Sequence, residues 1–172
     1  WTGSWYTVFV AVDRKSGLPV QEDPRFKASI TAHIERYRLA GYDLEIKGPV
    51  FVPLDIQLFV CVKPGYFNAD VKAGLKKVFA NGVQADGRPG YFHPDNFSFG
   101  DAVYLNSVVA SAMAVAGVAS VEAKRFQRLN KAPNMELENG VLQPAASEIV
   151  QLDNDPNFPE HGKIEFVLEG GL

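Results

Sequence analysis

Seven apolar side chains recur at every second position from Val50 to Val62: Val50, Val52, Leu54, Ile56, Leu58, Val60 and Val62. Asp55, Gln57 and Lys63 fall on the opposite parity. Alternation with period two over this length predicts a strand with one face on a core. Pro53 has no N–H to give a ladder, so it predicts an edge position or a bulge. The run "WYTVFVAV" (5–12) is β-branched or aromatic at both parities, which predicts a strand covered on both faces. Between these strands the period changes to that of a helix. Phe26, Ile30, Ile34 and Tyr37 form one apolar face over 24–40, with Asp23 as N-cap, Pro24 at the first helical position and Gly41 as the stop. "DLEI" (43–46) reads as a short strand ended by Gly48-Pro49.

Pro64-Gly65 turns the chain after the long strand, and Asn68 is placed to cap a second helix over 69–80, with Val71, Leu75, Val78 and Phe79 inward. "NGVQADGRPGYFHPDN" is a turn-rich connection. A short strand at "AVYL" precedes a third helix over 106–116, capped by Asn106, with Val109, Ala112, Met113 and Ala116 inward and Gly117 as its stop. "VASVEAKRFQRL" is a further strand, 130–147 is polar and linker-like, and "EIVQL" and "KIEFVL" are two short strands. No repeat of solenoid period occurs. The order β-α-β-β-α-β-α-β plus a β tail predicts an α+β fold of mixed or antiparallel sheets with two to three helices packed on them. The expected organisation is two ferredoxin-like subdomains, 1–47 and 48–129, then a linker and C-terminal β-hairpin tail over 130–172. Contacts with neighbours are expected from the long loops at 13–22, 82–101 and 130–147.

Charge narrows the function. Net charge is −3 with a pI near 5.6, so there is no basic footprint for nucleic acid. Lys124, Arg125, Arg128 and Lys131 are flanked by Glu122, Glu136 and Glu138 and read as a solvated face. No apolar run is long enough to span a bilayer, and no signal peptide is visible. The single cysteine, Cys61, cannot make an internal disulfide and fits a reducing compartment. The chain starts at Trp1 and enters a strand at once, which reads as part of a longer polypeptide.

The densest chemistry lies in "LDNDPNFPEHG" (152–162). Asp153, Asp155 and Asn157 match the first ligands of a helix-flanked calcium loop, but Phe158 stands where Gly is needed and Ile164 where the Glu should be. Asx turns and proline stiffening account for the same residues. A hydrolase built on Asp153, Asp155 and Glu160 would need carboxyls set across a cleft, which adjacency does not provide. His33, His93 and His161 form no metal-ligand spacing, and no phosphate loop or nucleophile elbow occurs. Cys61 reads as a structural thiol. No catalytic, cofactor or metal residue is therefore assigned. The loop "YFHPDNFSFG" gathers Tyr91, Phe92, His93, Asp95 and Phe97, and either contacts a glycan or partner or tucks its rings onto the sheet. With Asp153, Asp155 and Phe158, these form the candidate interface.

Four stretches carry a resemblance: "YTVFVAVDRKSGLPV", "HIERYRLAGYDLEIKGPVFVPLDIQLFVCVKPGY", "GYFHPDNFSFGDAVYLNSVVASAMAVAGVASVEAKRFQR" and "LDNDPNFPEHGKIEFVLEGG". Together they resemble the C-terminal region of baseplate assembly proteins of the baseplate J-like group, found in contractile phage tails and related injection particles. "RYRLAGYDLEI", "FHPDNFSFG" and "LDNDPNFPE" are its most specific marks. The resemblance implies a structural wedge component with no catalytic residues, assembled in the bacterial cytoplasm into a phage tail or injection particle. Its implied partners are other wedge subunits, sheath-initiator and hub proteins in a multi-copy ring, with no nucleic acid and no membrane. The alternative is a glycan- or receptor-binding module at the particle periphery.

Overall fold

The computed structural model describes residues 6–18, 20 and 22–172, which divide into two compact units at Val50/Phe51. In the first unit, β1 (Tyr6–Ala11) and β2 (Tyr42–Lys47) pair in parallel, from Tyr6↔Tyr42 to Ala11↔Lys47. Parallel neighbours need a crossover, and α1 (Pro24–Ile34) with its 3₁₀ extension Glu35–Tyr37 supplies it. Asp23 caps α1 by accepting from the Phe26 N–H at 3.0 Å, and Pro24 opens the helix as expected. That bond holds the Asp23 carboxyl below its usual range; the Arg14 guanidinium, 3.1 Å away, adds to the effect, while desolvation opposes it.

The apolar faces expected here are not buried. No residue of α1 is buried, Tyr37 is 75% exposed, and on β1 Val8 and Phe9 are exposed at 46% and 58%. The physical reason is width. Two strands offer a platform too narrow to cover a whole helix face, so among the described residues of this unit only Ile46 on β2 and Val20 before α1 are buried apolar side chains.

The second unit is built on β3 (Val50–Val62). Its row Val52, Leu54, Ile56, Leu58, Val60 and Val62 is buried in one continuous core, while Val50 remains exposed. The remaining elements are α2 (Asn68–Val78), β4 (Val103–Tyr104), α3 (Leu105–Met113), β5 (Val118–Arg128), α4 (Glu136–Asn139), β6 (Val141–Leu142), β7 (Glu148–Gln151) and β8 (Lys163–Gly170). β5 pairs antiparallel with β3, β8 pairs parallel with it, and β7 also joins it, giving a mixed sheet. β4 and β6 make a small antiparallel pair. The α+β class holds.

Three details differ from the sequence expectation. The tail is not a hairpin, because β7 and β8 both pair with β3 and not with each other, so 130–172 belongs to the second unit. An exposed hairpin would have left Ile164 and Phe166 without cover; beside β3 both are buried in the core. Neither unit shows the ferredoxin-like strand order, since the first is one β-α-β and the second centres on β3 with mixed neighbours. Pro53 does not make β3 an edge. It lies just before the ladders that begin at Leu54 and Asp55, and the bulges fall in β5, where Lys124 and Ala119 are the extra residues.

The α2 face is as expected, with Val71, Leu75 and Phe79 buried and Val78 packed against them. On α3 the inward row is Val108 and Ala112 with Leu105 and Val115, while Met113 is exposed. A helix as apolar as "LNSVVASAM" does not signal its own rotation, and contact with β5 decides it. Asn68 and Asn106 are not the caps. Phe67 and Tyr104 hold those positions, and Asn68 Nδ2 donates to the Gly170 carbonyl.

Leu75→Ala should cost about 2–5 kcal/mol in urea unfolding, whereas Met113→Ala should stay within about 0.5 kcal/mol. Equal losses would contradict this orientation of the helices.

Candidate functional site

The aromatic loop over 91–97 is folded onto the core. Tyr91 meets Phe92 edge-on at 4.9 Å, Phe92 stacks on Phe97 at 6.0 Å, and Phe79 lies 5.6–6.0 Å from Tyr91, Phe92 and Phe166. Phe92 is 4% exposed. Burial pushes the Tyr91 phenol above its ordinary pKa, with a hydrogen bond to Ser107 opposing. The Tyr91 N–H donates to the Val78 carbonyl, and a Cβ on Gly90 would lie 2.0 Å from the Ala80 oxygen, so the loop enters hard against the end of α2. His93 Nδ1 accepts from the Asp95 N–H at the start of a 3₁₀ turn, Pro94–Asn96, and Asn96 Nδ2 donates to the Gly90 carbonyl. The rings are committed to the core, and the outward part of the loop is Asp95, Asn96 and Ser98.

The second loop, 152–162, leaves β7 and returns to β8. Its neck is closed by Asp153 N–H to the His161 carbonyl and Asn154 N–H to the Gly162 carbonyl, both at 3.2 Å. Asp153 Oδ2 lies 2.8 Å from His161 Nδ1 and accepts from Gln151 Nε2. Asn154 adopts φ +51, and its Oδ1 accepts from the Ile164 N–H. Asp155 Oδ1 accepts from the Asn157 backbone and side-chain amides, an Asx turn. Phe158 is half exposed and stacks on His161 at 5.4 Å. Gly162 closes the loop at φ +95, where a Cβ would come within 2.9 Å of Gln151 O and of Leu54 N and O. Asp153 and Asp155 thus serve the backbone path.

A polar network unmarked by any motif lies on the outer face of β3. Asp55, only 8% exposed, has Oδ1 2.9 Å from Arg125 Nε, a coulombic contact off hydrogen-bond alignment. Arg125 and Gln57 reach Glu165 at 3.1 Å, and so does Lys163. The Lys163 hydrogen bond first, and the Arg125 charge and Gln57 after it, hold the Glu165 carboxyl low against desolvation. Arg128 grips Glu148 with both terminal nitrogens at 2.9–3.1 Å; with the Ala145 N–H, this holds the Glu148 carboxyl low. The expected solvated face is therefore partly internal pairing, and the only sequence signal for it was the odd parity of Asp55 and Gln57.

Among the described residues no three His, Cys, Asp or Glu side chains converge as a metal site, and no helix is long and apolar enough to cross a membrane. The first unit adds an apolar groove of about 290 Å³ lined by Val8, Val10, Ile34, Tyr37, Tyr42 and Leu44. What these surfaces offer is shape and pairing: carboxylates neutralised by cations or backbone amides, aromatics in the core, and apolar area left uncovered. Residues 1–47 match the family described as Baseplate J-like central domain, so this segment is similar to that domain. The matching region is the central domain, where the resemblance implied the C-terminal one. That match supports, in general terms, a structural role in a phage baseplate. A comparison with curated proteins finds no match.

Because the folded pKa of Glu148 is depressed, its contribution is present above the ordinary carboxylate range and lost as pH falls through the folded value. Glu148→Gln should cost about 1–3 kcal/mol at pH 7. The gap to the native chain should shrink steadily in denaturation curves taken from pH 5 downward. Gly162→Ala combines forbidden backbone with a clash and should cost about 2 kcal/mol or more. A melting temperature unchanged by that substitution would contradict the closed neck.

Proposed function

We propose that this chain is a wedge component of the baseplate in a contractile phage tail or tail-like injection particle. It acts by protein–protein assembly around the hub and performs no catalysis. Its neighbours are other wedge subunits, sheath-initiator and hub proteins in a multi-copy ring, assembled in the bacterial cytoplasm.

The observation that carries the reading is where the uncovered apolar surface lies. Phe9, Tyr37 and Leu39 are 58%, 75% and 69% exposed, and all three belong to the segment that matches the baseplate J-like central domain. Exposed large apolar side chains concentrated in one small unit favour contact with other proteins over solvent. Lys47 lies over the Phe9 ring at 4.2 Å, so even this surface keeps a charged rim.

Replacing Phe9, Tyr37 and Leu39 together by Asp should leave unfolding of the second unit unchanged. Sheathed particles counted by electron microscopy should fall at least tenfold. Normal particle numbers would overturn the reading. Turnover of peptidoglycan or glycosides by the full chain, lost in Asp155→Asn, would replace it with an enzymatic one.

A further inference from the structure

The sheet of the second unit has two outer strands of different character. β5 is interrupted by bulges at Ala119 and Lys124 and carries the Glu122–Lys124 ion pair, both of which discourage another strand from adding. β8 has no bulge, and its own Lys163–Glu165 ion pair is drawn into the network with Arg125 and Gln57. It pairs with β3 in an unbroken register over eight residues, Asp55↔Lys163 to Val62↔Gly170, and contains no proline. Among the described residues no strand lies on its other edge.

The direction of that edge is fixed at one end. The Ile164 N–H donates to Asn154 Oδ1 of the 152–162 loop, outside the ladder with β3. Strand alternation then turns the N–H and C=O groups of Phe166 and Leu168 to the same side. Beside them runs a groove of about 430 Å³, walled by Lys72 and Lys76 of α2 and by Asn154 and Pro156, with Ile164–Val167 as its floor. Lys72 and Lys76 stand one helical turn apart and are exposed, and among the described residues no carboxylate lies within ion-pair distance of either. Glu165 does not neutralise them, because its carboxylate is held by Lys163, Arg125 and Gln57.

We propose that the open edge of β8 and the Lys72–Lys76 pair form a docking groove for an extended acidic segment of a partner protein, added to the sheet as a further strand. An unpaired row of backbone groups is matched by extended backbone, which supplies affinity through a ladder. The lysines select the sign of the incoming side chains. A second copy is disfavoured on charge, since antiparallel pairing of two β8 edges brings two lysine pairs into one groove. The proposal stands on the second unit alone and does not depend on the wedge reading.

The test uses the full chain and three fluorescein-labelled octapeptides. One alternates valine and glutamate, one alternates valine and lysine, and the third is the glutamate peptide N-methylated at alternate residues. Anisotropy titrations should show saturable binding of the glutamate peptide, at least tenfold tighter than either of the others. Binding should weaken at least fivefold in K72E/K76E and fall with added salt. Hydrogen exchange should slow at the Phe166 and Leu168 amides on binding. No saturation, equal binding of the lysine or N-methylated peptide, or indifference to K72E/K76E would overturn the proposal. Protection of Phe166 and Leu168 that rises with chain concentration and no peptide present would assign the edge to a second copy instead.

Discussion

A single strand shared by three others, β3, is the constraint on which the second unit depends. Its even-numbered side chains from Val52 to Val62 are all buried, and every large element of the unit packs on them or pairs with their backbone. Each fully buried aliphatic side chain is worth roughly 1.5–3 kcal/mol relative to exposure. Six in one row therefore outweigh any local preference in the elements that cover them. α2 and α3 take the rotations that fill this row, and the C-terminal strand lies beside β3 with Ile164 and Phe166 buried in the same core.

The same strand explains the charged face. Period two puts Asp55, Gln57, Phe59 and Cys61 on the side opposite the core, and flanking strands bring Arg125, Lys163 and Glu165 beside them. A carboxylate as buried as Asp55 is tolerable only with cations against it. Arg125 and Lys163, from strands far apart in sequence, provide them. The network thus ties the long return of the chain, through the 152–162 loop, to the middle of the sheet.

The two units divide the work differently. The second buries one continuous apolar core and presents paired charges, a pinned loop and one open strand edge. The first matches the baseplate J-like central domain and leaves aromatic and aliphatic side chains exposed on a two-stranded β-α-β. Exposed apolar surface of that kind favours contact with other proteins over solvent.

Strand and helix positions were legible in the sequence because hydrophobic period is a local property: β3 spans Val50–Val62 as the alternation alone requires. The α2 face was legible too, since its polar residues mark the outside. What local pattern could not contain was partnership. The aromatic loop read equally as a binding surface or as packing, and only Phe79 and Phe166, remote in sequence, decide that Tyr91, Phe92 and Phe97 belong to the core. The residues of "LDNDPNFPEHG" announced a demanding turn, but the reason for it is Gly162, wedged between Gln151 and Leu54. The ion network on Asp55 and the open edge of β8 left almost no trace in the sequence. A chain determines by itself where its backbone prefers to extend or coil, and which side of each element is apolar. Which strands become neighbours, and hence which charges pair and which edge stays open, is settled by burying the most apolar surface at once, a sum taken over the whole tertiary structure.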